Sequence, residues 1–299
     1  MANADAGPGN SISVLRRAHG RAAATLDSEG FLHREARQRL LDRLQWISMQ
    51  PSLVIDLGSG TGAALAALSS RFPGATLLAA DHARAMLSAA RRRDRLPSQA
   101  RMVCAAAERL PLADASADLV WSNLMLAYCP DPRPVIAEAR RVLRARGLFS
   151  FTTLGRGSFA ELGEAWAQAD DFVHVAAQPD MHDLGDLLVR GGFSEPVLDT
   201  EVVTVTYTSL ADLARDLRSV AAINRSSRRN PGLTGRGVAK RLRAALEKRR
   251  DPSGRFAITI ELIFAQAWVG AEQPAAGRDD IEVPLSAIVR RRIGPDHSN

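Results

Sequence analysis

The 299 residues, 46% hydrophobic and 24% charged, can bury a full core, which excludes a fibrous or wholly disordered chain. Two cysteines without metal-like spacing give no disulfide framework, and no apolar run approaches the roughly 18 residues of a membrane span. A net charge of +6 favours an anionic partner, but aromatics are only 5% and not interleaved with the arginines, which weakens a base-stacking, nucleic-acid reading.

Residues 1–10, rich in Ala, Gly and Asn, are expected to be disordered. No charged segment followed by an apolar stretch opens the chain, so a cytoplasmic location is expected. Leu32, Ala36, Leu40, Leu41 and Leu44 recur at helical spacing, predicting helices over 12–21 and 31–47 with a break near 27–30. These helices, within residues 11–50, are expected to lie as a lid over a ligand mouth.

The chain is organised around Leu53-Val54-Ile55-Asp56-Leu57-Gly58-Ser59-Gly60-Thr61-Gly62. An apolar run ending in an acid and alternating glycines predicts a buried parallel strand, a tight turn and a helix over 63–70. Glycines at every second position admit a ligand where a Cβ would collide, and the helix start points free N–H groups at it. Asp56 would repel a pyrophosphate but suits an ammonium, held through water, and the Gly-x-Gly-x-Gly spacing differs from the Gly-x-Gly-x-x-Gly of dinucleotide folds. A cationic nucleoside bearing an amino acid fits better than NAD.

Residues 75–81 predict a second buried strand ending in Asp81, about 20 residues beyond the loop, where an acid can accept from both hydroxyls of a ribose. An N-cap for a helix over 82–93 is compatible with the same residue. Met86 on that helix faces either an adenine or plain core. Residues 101–107 and 117–124 predict two more strands, the latter ending near Asn123 and Tyr128, candidates for the floor and wall beside a reacting group; Tyr128 reads equally as a core cap. Cys104 and Cys129 both read as packing residues.

A helix over 134–143, its terminal turn at 144–147 and a strand over 148–154 complete four strand-helix units, which predict a right-handed, doubly wound α/β sheet. Ser158 is predicted to N-cap a helix through 169 with Glu161 as its capping-box partner, and 183–191 to form another helix. Strands over 197–208 and 256–269 are expected to pair antiparallel and complete a mostly parallel, seven-stranded sheet. The insertion between them, residues 209–250, carries Arg215, Arg218, Arg225, Arg228, Arg229, Arg236, Lys240, Arg241, Arg243, Lys248, Arg249 and Arg250 against Asp212, Asp216 and Glu247. That imbalance reads either as a solvated helical face or as a docking surface. Residues 272–299 are expected to form a loosely packed tail.

The glycine stretch looks like the first motif of class I S-adenosylmethionine-dependent methyltransferases. Residues 21–27, Glu108-Arg109-Leu110-Pro111-Leu112, Trp121-Ser122-Asn123-Leu124, Ser158-Phe159-Ala160-Glu161-Leu162, His182-Asp183-Leu184-Gly185-Asp186, Gly191-Gly192-Phe193 and residues 232–237 extend the likeness over about residues 12–268. Together they resemble the malonyl-acyl-carrier-protein O-methyltransferases of biotin synthesis, and are similar as well to a mitochondrial complex I assembly factor that hydroxylates an arginine. The resemblance implies a Rossmann-like methyltransferase domain over 51–271, S-adenosylmethionine as cofactor, and methylation of the free carboxylate of malonyl-acyl-carrier protein. The ester hides the charge, so fatty-acid synthesis enzymes can extend the primer toward pimeloyl.

Carried onto this chain, the resemblance implies cofactor contacts at Asp56, Gly58, Ser59, Gly60, Gly62, Asp81, His82, Met86, Ala106, Ala107, Glu108 and Asn123, with Asp56 and Asp81 gripping opposite ends of one sulfonium nucleoside. A carboxylate nucleophile needs no general base, so catalysis is expected from placement, with Asn123 and Tyr128 as candidates and no metal. Arg156, Arg225, Arg228 and Arg229 are expected to hold the substrate, and the basic insertion to steer an acidic carrier protein toward a monomer that binds neither nucleic acid nor membrane. The family usually has Tyr at Leu26, an acid at Ala106 and Trp at Tyr128. The alternatives are a methyltransferase for another acidic substrate and a degenerate, non-catalytic binding or assembly protein.

Overall fold

In the computed structural model, which describes residues 12–93, 96–219, 224, 228–230 and 232–271, the apolar run before the glycines is a buried strand, β1 (Leu53–Leu57). It pairs in parallel with β2 (Thr76–Asp81) on one side and β4 (Ala117–Asn123) on the other. Outward from these lie β3 (Ala100–Cys104) and β5 (Leu143–Leu154), also parallel. β7 (Phe256–Trp268) then runs antiparallel to β5, and β6 (Ser194–Tyr207) antiparallel to β7, so the sheet reads β3-β2-β1-β4-β5-β7-β6. This is the doubly wound, mostly parallel, seven-stranded sheet that the sequence predicts.

The period-two geometry of strands sends alternate residues to opposite faces, and both faces are covered. Val54, Leu77, Leu119, Trp121 and Leu148 join one buried cluster with residues of α3 (Phe31–Arg43) and α4 (Leu65–Arg71). Ile55, Leu57, Val120, Phe149 and Phe151 join the other with residues of α6 (Arg133–Val142) and α8 (Met181–Arg190). Each such side chain taken out of water contributes about 1.5–3 kcal/mol before entropy is counted. Helices α1 (Ile12–Ala22) and α2 (Leu26–Glu29) precede α3, and α5 (Arg84–Arg91) connects β2 to β3. α7 (Ala160–Ala167) follows β5, and α9 (Leu210–Ser219) and α10 (Arg236–Glu247) lie between β6 and β7.

Several local expectations are corrected. Residues 144–147 are not a helix end but part of β5, where the register against β4 slips from Ala117↔Leu143 to Leu119↔Leu148 and Arg146, at φ +62°, donates its N–H to Val269. Tertiary pairing with the end of β7 overrides the local helix-stop signal. Ser158 and Glu161 make no capping box: Ser158 Oγ donates to the Glu261 carbonyl and Glu161 accepts from the Thr259 amide, both on β7, while Phe159 occupies the N-cap position. Cys104 is exposed rather than packed. The expected disorder of residues 1–10 and the tail at 272–299 lie outside the described residues, as does Arg225. No helix among the described residues is long and apolar enough to cross a membrane.

Candidate functional site

The order of strands reverses between β1 and β4, and in such sheets the crevice outside the carboxyl ends at that point receives ligands. Three side chains or loops reach it from neighbouring strands: the glycine loop after β1, Asp81 at the end of β2 and Asn123 at the end of β4. The loop is shaped by Gly58, Gly60 and Gly62, whose φ of +73°, +53° and +73° lie where L side chains are strained. Gly58 and Ser59 donate to the Ala80 carbonyl, and Gly60 donates to Asp81 Oδ2 at 2.9 Å. Asp81 Oδ1 accepts from Ala83 at 2.7 Å, so the carboxylate braces both the loop and the start of α5. Helix α4 begins only at Leu65, two residues later than predicted, because the Gly62 and Leu65 amides are turned inward onto Ser59 and Gly62.

Two cavities border this loop, and a third adjoins the first. The first, about 830 Å³ including its open mouth, is walled by Gly58, Gly60, Asp81, His82 and Met86 below and by His19, Leu26 and His33 from the N-terminal helices above. Ala107, Glu108, Asn123 and Tyr128 also line it. The second, about 1,050 Å³, is largely apolar, with Phe31, Leu32, Leu154, Phe159, Val205 and Ile260 among its walls, and shares Tyr128 with the first. The third, about 600 Å³, is polar and holds Asp27, Arg34, Arg37, Asp56, Ser59 and Arg93.

Asp56 and Asp81 therefore open into adjoining cavities rather than one. Leu26, His33, Gly58, Gly60 and Asn123 wall both spaces, so the division runs along the glycine loop beneath the N-terminal helices. The Asp56 carboxyl is buried, its Oδ2 has no hydrogen-bond partner among the described residues, and burial pushes its pKa up to about 8, reinforced by Asp81 and opposed by Arg37. Burial raises that of Asp81 too, while its two backbone N–H partners and His82 pull the other way. His33 is held down to about 4 by burial and by Arg37, and its Nε2 lies 3.3 Å from the Tyr128 hydroxyl. Asn123 is fixed as a strut, its Nδ2 donating to the His33 carbonyl and its Oδ1 accepting from Thr152.

Two of the sequence's cofactor candidates fall outside the walls. A Cβ on Gly62 would sit 2.9 Å from Leu65 and 3.0 Å from Ala90, so this glycine admits α5 rather than a ligand. Ala106 bridges to Arg109 behind the cavity, while its neighbours Ala105 and Ala107 line it. Arg156 is exposed at the turn after β5, and neither it nor Arg228 or Arg229 lines any of the three cavities, the carbonyl of Arg228 accepting from Val173 beside the second. His19, His33, Arg37 and Arg93 were not legible as site residues, since only the folding of the N-terminal helices and α5 onto the loop brings them there.

The structure's cradle fits a nucleoside with a charged amino-acid end. A Cβ on Gly60 would project toward Leu26, 3.5 Å from its Cδ2, filling the gap above the loop, and the orphaned Asp56 oxygen calls for a donor. Comparison with known proteins agrees with this architecture. A family model described as a methyltransferase domain matches residues 55–151. The malonyl-[acyl-carrier protein] O-methyltransferase of Nitrosospira multiformis is 37% identical over 296 residues, covering 94% of each chain. That of Laribacter hongkongensis is 41% identical over 276 residues, covering 90% of this chain and 93% of its own. Among solved structures, the YcgJ protein of Bacillus subtilis superposes with a TM-score of 0.58 at 14% identity, over 80% of this chain and 100% of its own, a likeness of fold alone.

Proposed function

The chain belongs to the malonyl-[acyl-carrier protein] O-methyltransferase family of S-adenosylmethionine-dependent methyltransferases, and from that premise we propose that it methylates the free carboxylate of malonyl-acyl-carrier protein. The observation that carries this reading is the meeting of the cavity over the glycine loop with an apolar cavity at the single shared residue Tyr128. Bound in the first, S-adenosylmethionine supplies an electrophilic methyl group on sulfur.

Gly58 and Gly60 give the ligand backbone contact, and Asp81 receives the ribose hydroxyls. Two of the roughly four lone-pair positions of its carboxylate are taken by Gly60 and Ala83, leaving two for the diol. Met86, Ala107 and Glu108 border the adenine. The acyl arm lies in the second cavity, where Phe31, Leu32, Phe159 and Val205 exclude water from the malonyl carboxylate. A malonyl carboxylate is ionised at pH 7 and needs no proton removed. The protein's contribution is thus placement, and Tyr128, held on neutral His33, shapes the passage where donor and acceptor meet. An acidic carrier protein docks against the basic residues between β6 and β7 of a cytoplasmic monomer that takes neither nucleic acid nor membrane.

The test is incubation of the purified protein with methyl-labelled S-adenosylmethionine and malonyl-carrier protein, with succinyl-carrier protein and free malonate as competitors. Label is expected in a base-labile ester on the malonyl chain. Binding of the cofactor without any transfer to malonyl-carrier protein sinks the substrate reading, and transfer to another carboxylate redirects it.

A further inference from the structure

The apolar second cavity carries one polar fixture to which the reaction as derived gives no part. Among the described residues lining it, Glu29 and Asp216 can be negative, and His174 alone can carry a positive charge. His174 follows α7, and its ring lies against that of Trp166 with centroids 3.6 Å apart and planes within 8° of parallel. Its Nε2 lies 2.7 Å from Asp170 Oδ1, an oxygen that also accepts from the Phe172 amide at 3.1 Å, and each side chain of the pair is only 11% exposed. The stack fixes the plane of the imidazole and the carboxylate fixes which nitrogen faces it. Asp170 Oδ2 is buried without a partner among the described residues. With Nε2–H given to Asp170, Nδ1 is the ring atom left over. It makes no hydrogen bond to a described residue and, unlike Asp170 Oδ2, is not sealed in by protein, and the residue it belongs to lines the cavity.

A carboxylate drawn out of water into an apolar cavity needs a partner that supplies a proton donor or a charge, and the acids Glu29 and Asp216 oppose it there. Tyr207 donates its hydroxyl to Asp216 at 3.0 Å, and burial, together with that acid, pushes its pKa up, so it adds no charge of its own. Arg228 and Arg241 belong to neighbouring segments, the carbonyl of the first accepting from Val173 and Nε of the second donating to the Ala169 carbonyl, but neither lines the cavity. His174 is the group that remains. Its neutral ring, with Nε2–H on Asp170, can only accept at Nδ1, which repels an anion; one proton taken from solvent turns Nδ1 into a donor. We propose that His174 anchors the substrate's terminal carboxylate, with Nδ1–H on one oxygen and the other oxygen left as the nucleophile, and that Asp170 is the positioning residue that aims the ring. The proposal rests on the reading of the chain as a methyltransferase for a malonyl thioester. It makes the charge of the chain's far end a condition of tight binding, so an acyl chain without that carboxylate is held less well.

Calorimetry on the protein saturated with S-adenosylhomocysteine compares malonyl-carrier protein with acetyl-carrier protein, which keeps the carrier and the thioester but lacks the carboxylate. Wild type is expected to prefer the malonyl chain by about tenfold or more, the size of one charge-assisted contact, and to take up a proton with that chain alone, read from the heats in two buffers of different ionisation enthalpy. The preference is expected to fall as pH rises from about 6 to about 9, because the ring must be protonated to donate. Titration of Asp56 cancels in this ratio, since both chains meet the same nucleoside-loaded protein. His174→Gln is expected to lose the proton uptake, the pH dependence and most of the preference by weakening the malonyl chain alone, with affinity for S-adenosylhomocysteine unchanged, and Asp170→Asn to lose part of each. A wild-type preference that is flat with pH overturns the assignment of His174, as does a variant that keeps the preference. Equal weakening of both chains overturns it too, and marks a ring that accepts from an amide of the arm or merely braces the loop. If wild type transfers no methyl group to malonyl-carrier protein at all, the substrate reading falls and this proposal with it.

Discussion

Asp56 shows how a residue can be tuned against stability. Its folded carboxyl holds a proton up to about pH 8, against about 3.9 for an unfolded aspartate. The folded state therefore binds the proton more tightly, so this residue's stabilising contribution is complete below about pH 4 and is lost as pH rises toward 8. His33, pushed down to about 4, works in the opposite sense: its contribution is present above about pH 6.5 and is lost on acidification toward 4. The difference between wild type and Asp56→Asn isolates the aspartate. Urea titrations across pH 4–8 are expected to show the variant gaining on wild type as pH rises, by on the order of a few kcal/mol, while its affinity for S-adenosylhomocysteine falls. A constant offset between the two proteins across that range would deny the raised pKa. Gly58 poses a simpler case, since a Cβ there would lie 2.4 Å from Met125 Cγ at a φ of +73°. Gly58→Ala is expected to cost on the order of 2 kcal/mol in the same titration. Both residues stand out in the sequence because an acid and a glycine at a strand end have few other uses. Arg37 and His33 do not, because one more arginine or histidine on an amphipathic helix carries no mark of what packs opposite it.

Among the elements, the strands were the most legible, since apolar runs bounded by glycine, proline and acids leave little choice of period. The misread segments share one cause. Arg146, Ser158 and Glu161 all satisfy their backbone or side-chain polarity on β7 or the residue just past it, about a hundred residues away or more, and no local pattern reports such a partner. The N-terminal helices were legible as elements but not in how they are held. Asp27 on α2 ties this short helix to the glycine loop through Thr61 and to the residue two past α5 through Arg93, a latch between lid and cradle. Exposed pairs of this kind contribute about 1 kcal/mol or less to stability, so their loss should be felt mainly in the motion of the helix. Asp27→Ala is expected to leave the melting temperature within a few degrees of wild type and to speed dissociation of S-adenosylhomocysteine several-fold in stopped-flow displacement. An unchanged dissociation rate would mean that α2 is held by the packing of Leu26 alone.

At the scale of the whole molecule, the sheet serves two roles: β1, flanked by β2 and β4, carries the glycine loop, while residues of β5, β6 and β7, the helices between them and the N-terminal helices wall the apolar cavity. The excess of positive charge, +6 over the chain, is concentrated in the second half of this arrangement. On α10 the side chains of Arg236, Lys240 and Arg243 are exposed, and none of the three makes an ion pair among the described residues, whereas Arg249 and Arg250 on the following turn pair with Glu164 and Glu247. Charges on an accessible helix act over about a Debye length, ~10 Å at 0.1 M salt, and raise the encounter rate of an acidic protein without adding to the chemistry. The distinction is measurable because the same malonyl group can be presented on the carrier protein or on free pantetheine, which has no protein surface to steer. Raising salt from 50 to 300 mM is expected to increase KM several-fold for malonyl-carrier protein, to leave KM for malonyl-pantetheine nearly constant, and to leave kcat unchanged for both. Reversing the three charges, Arg236→Glu, Lys240→Glu and Arg243→Glu, is expected to remove the salt dependence and raise KM for the carrier-borne substrate alone. If salt moves both substrates equally, the basic helix is merely a solvated face, and recognition of the carrier must come from contacts at the mouth of the apolar cavity.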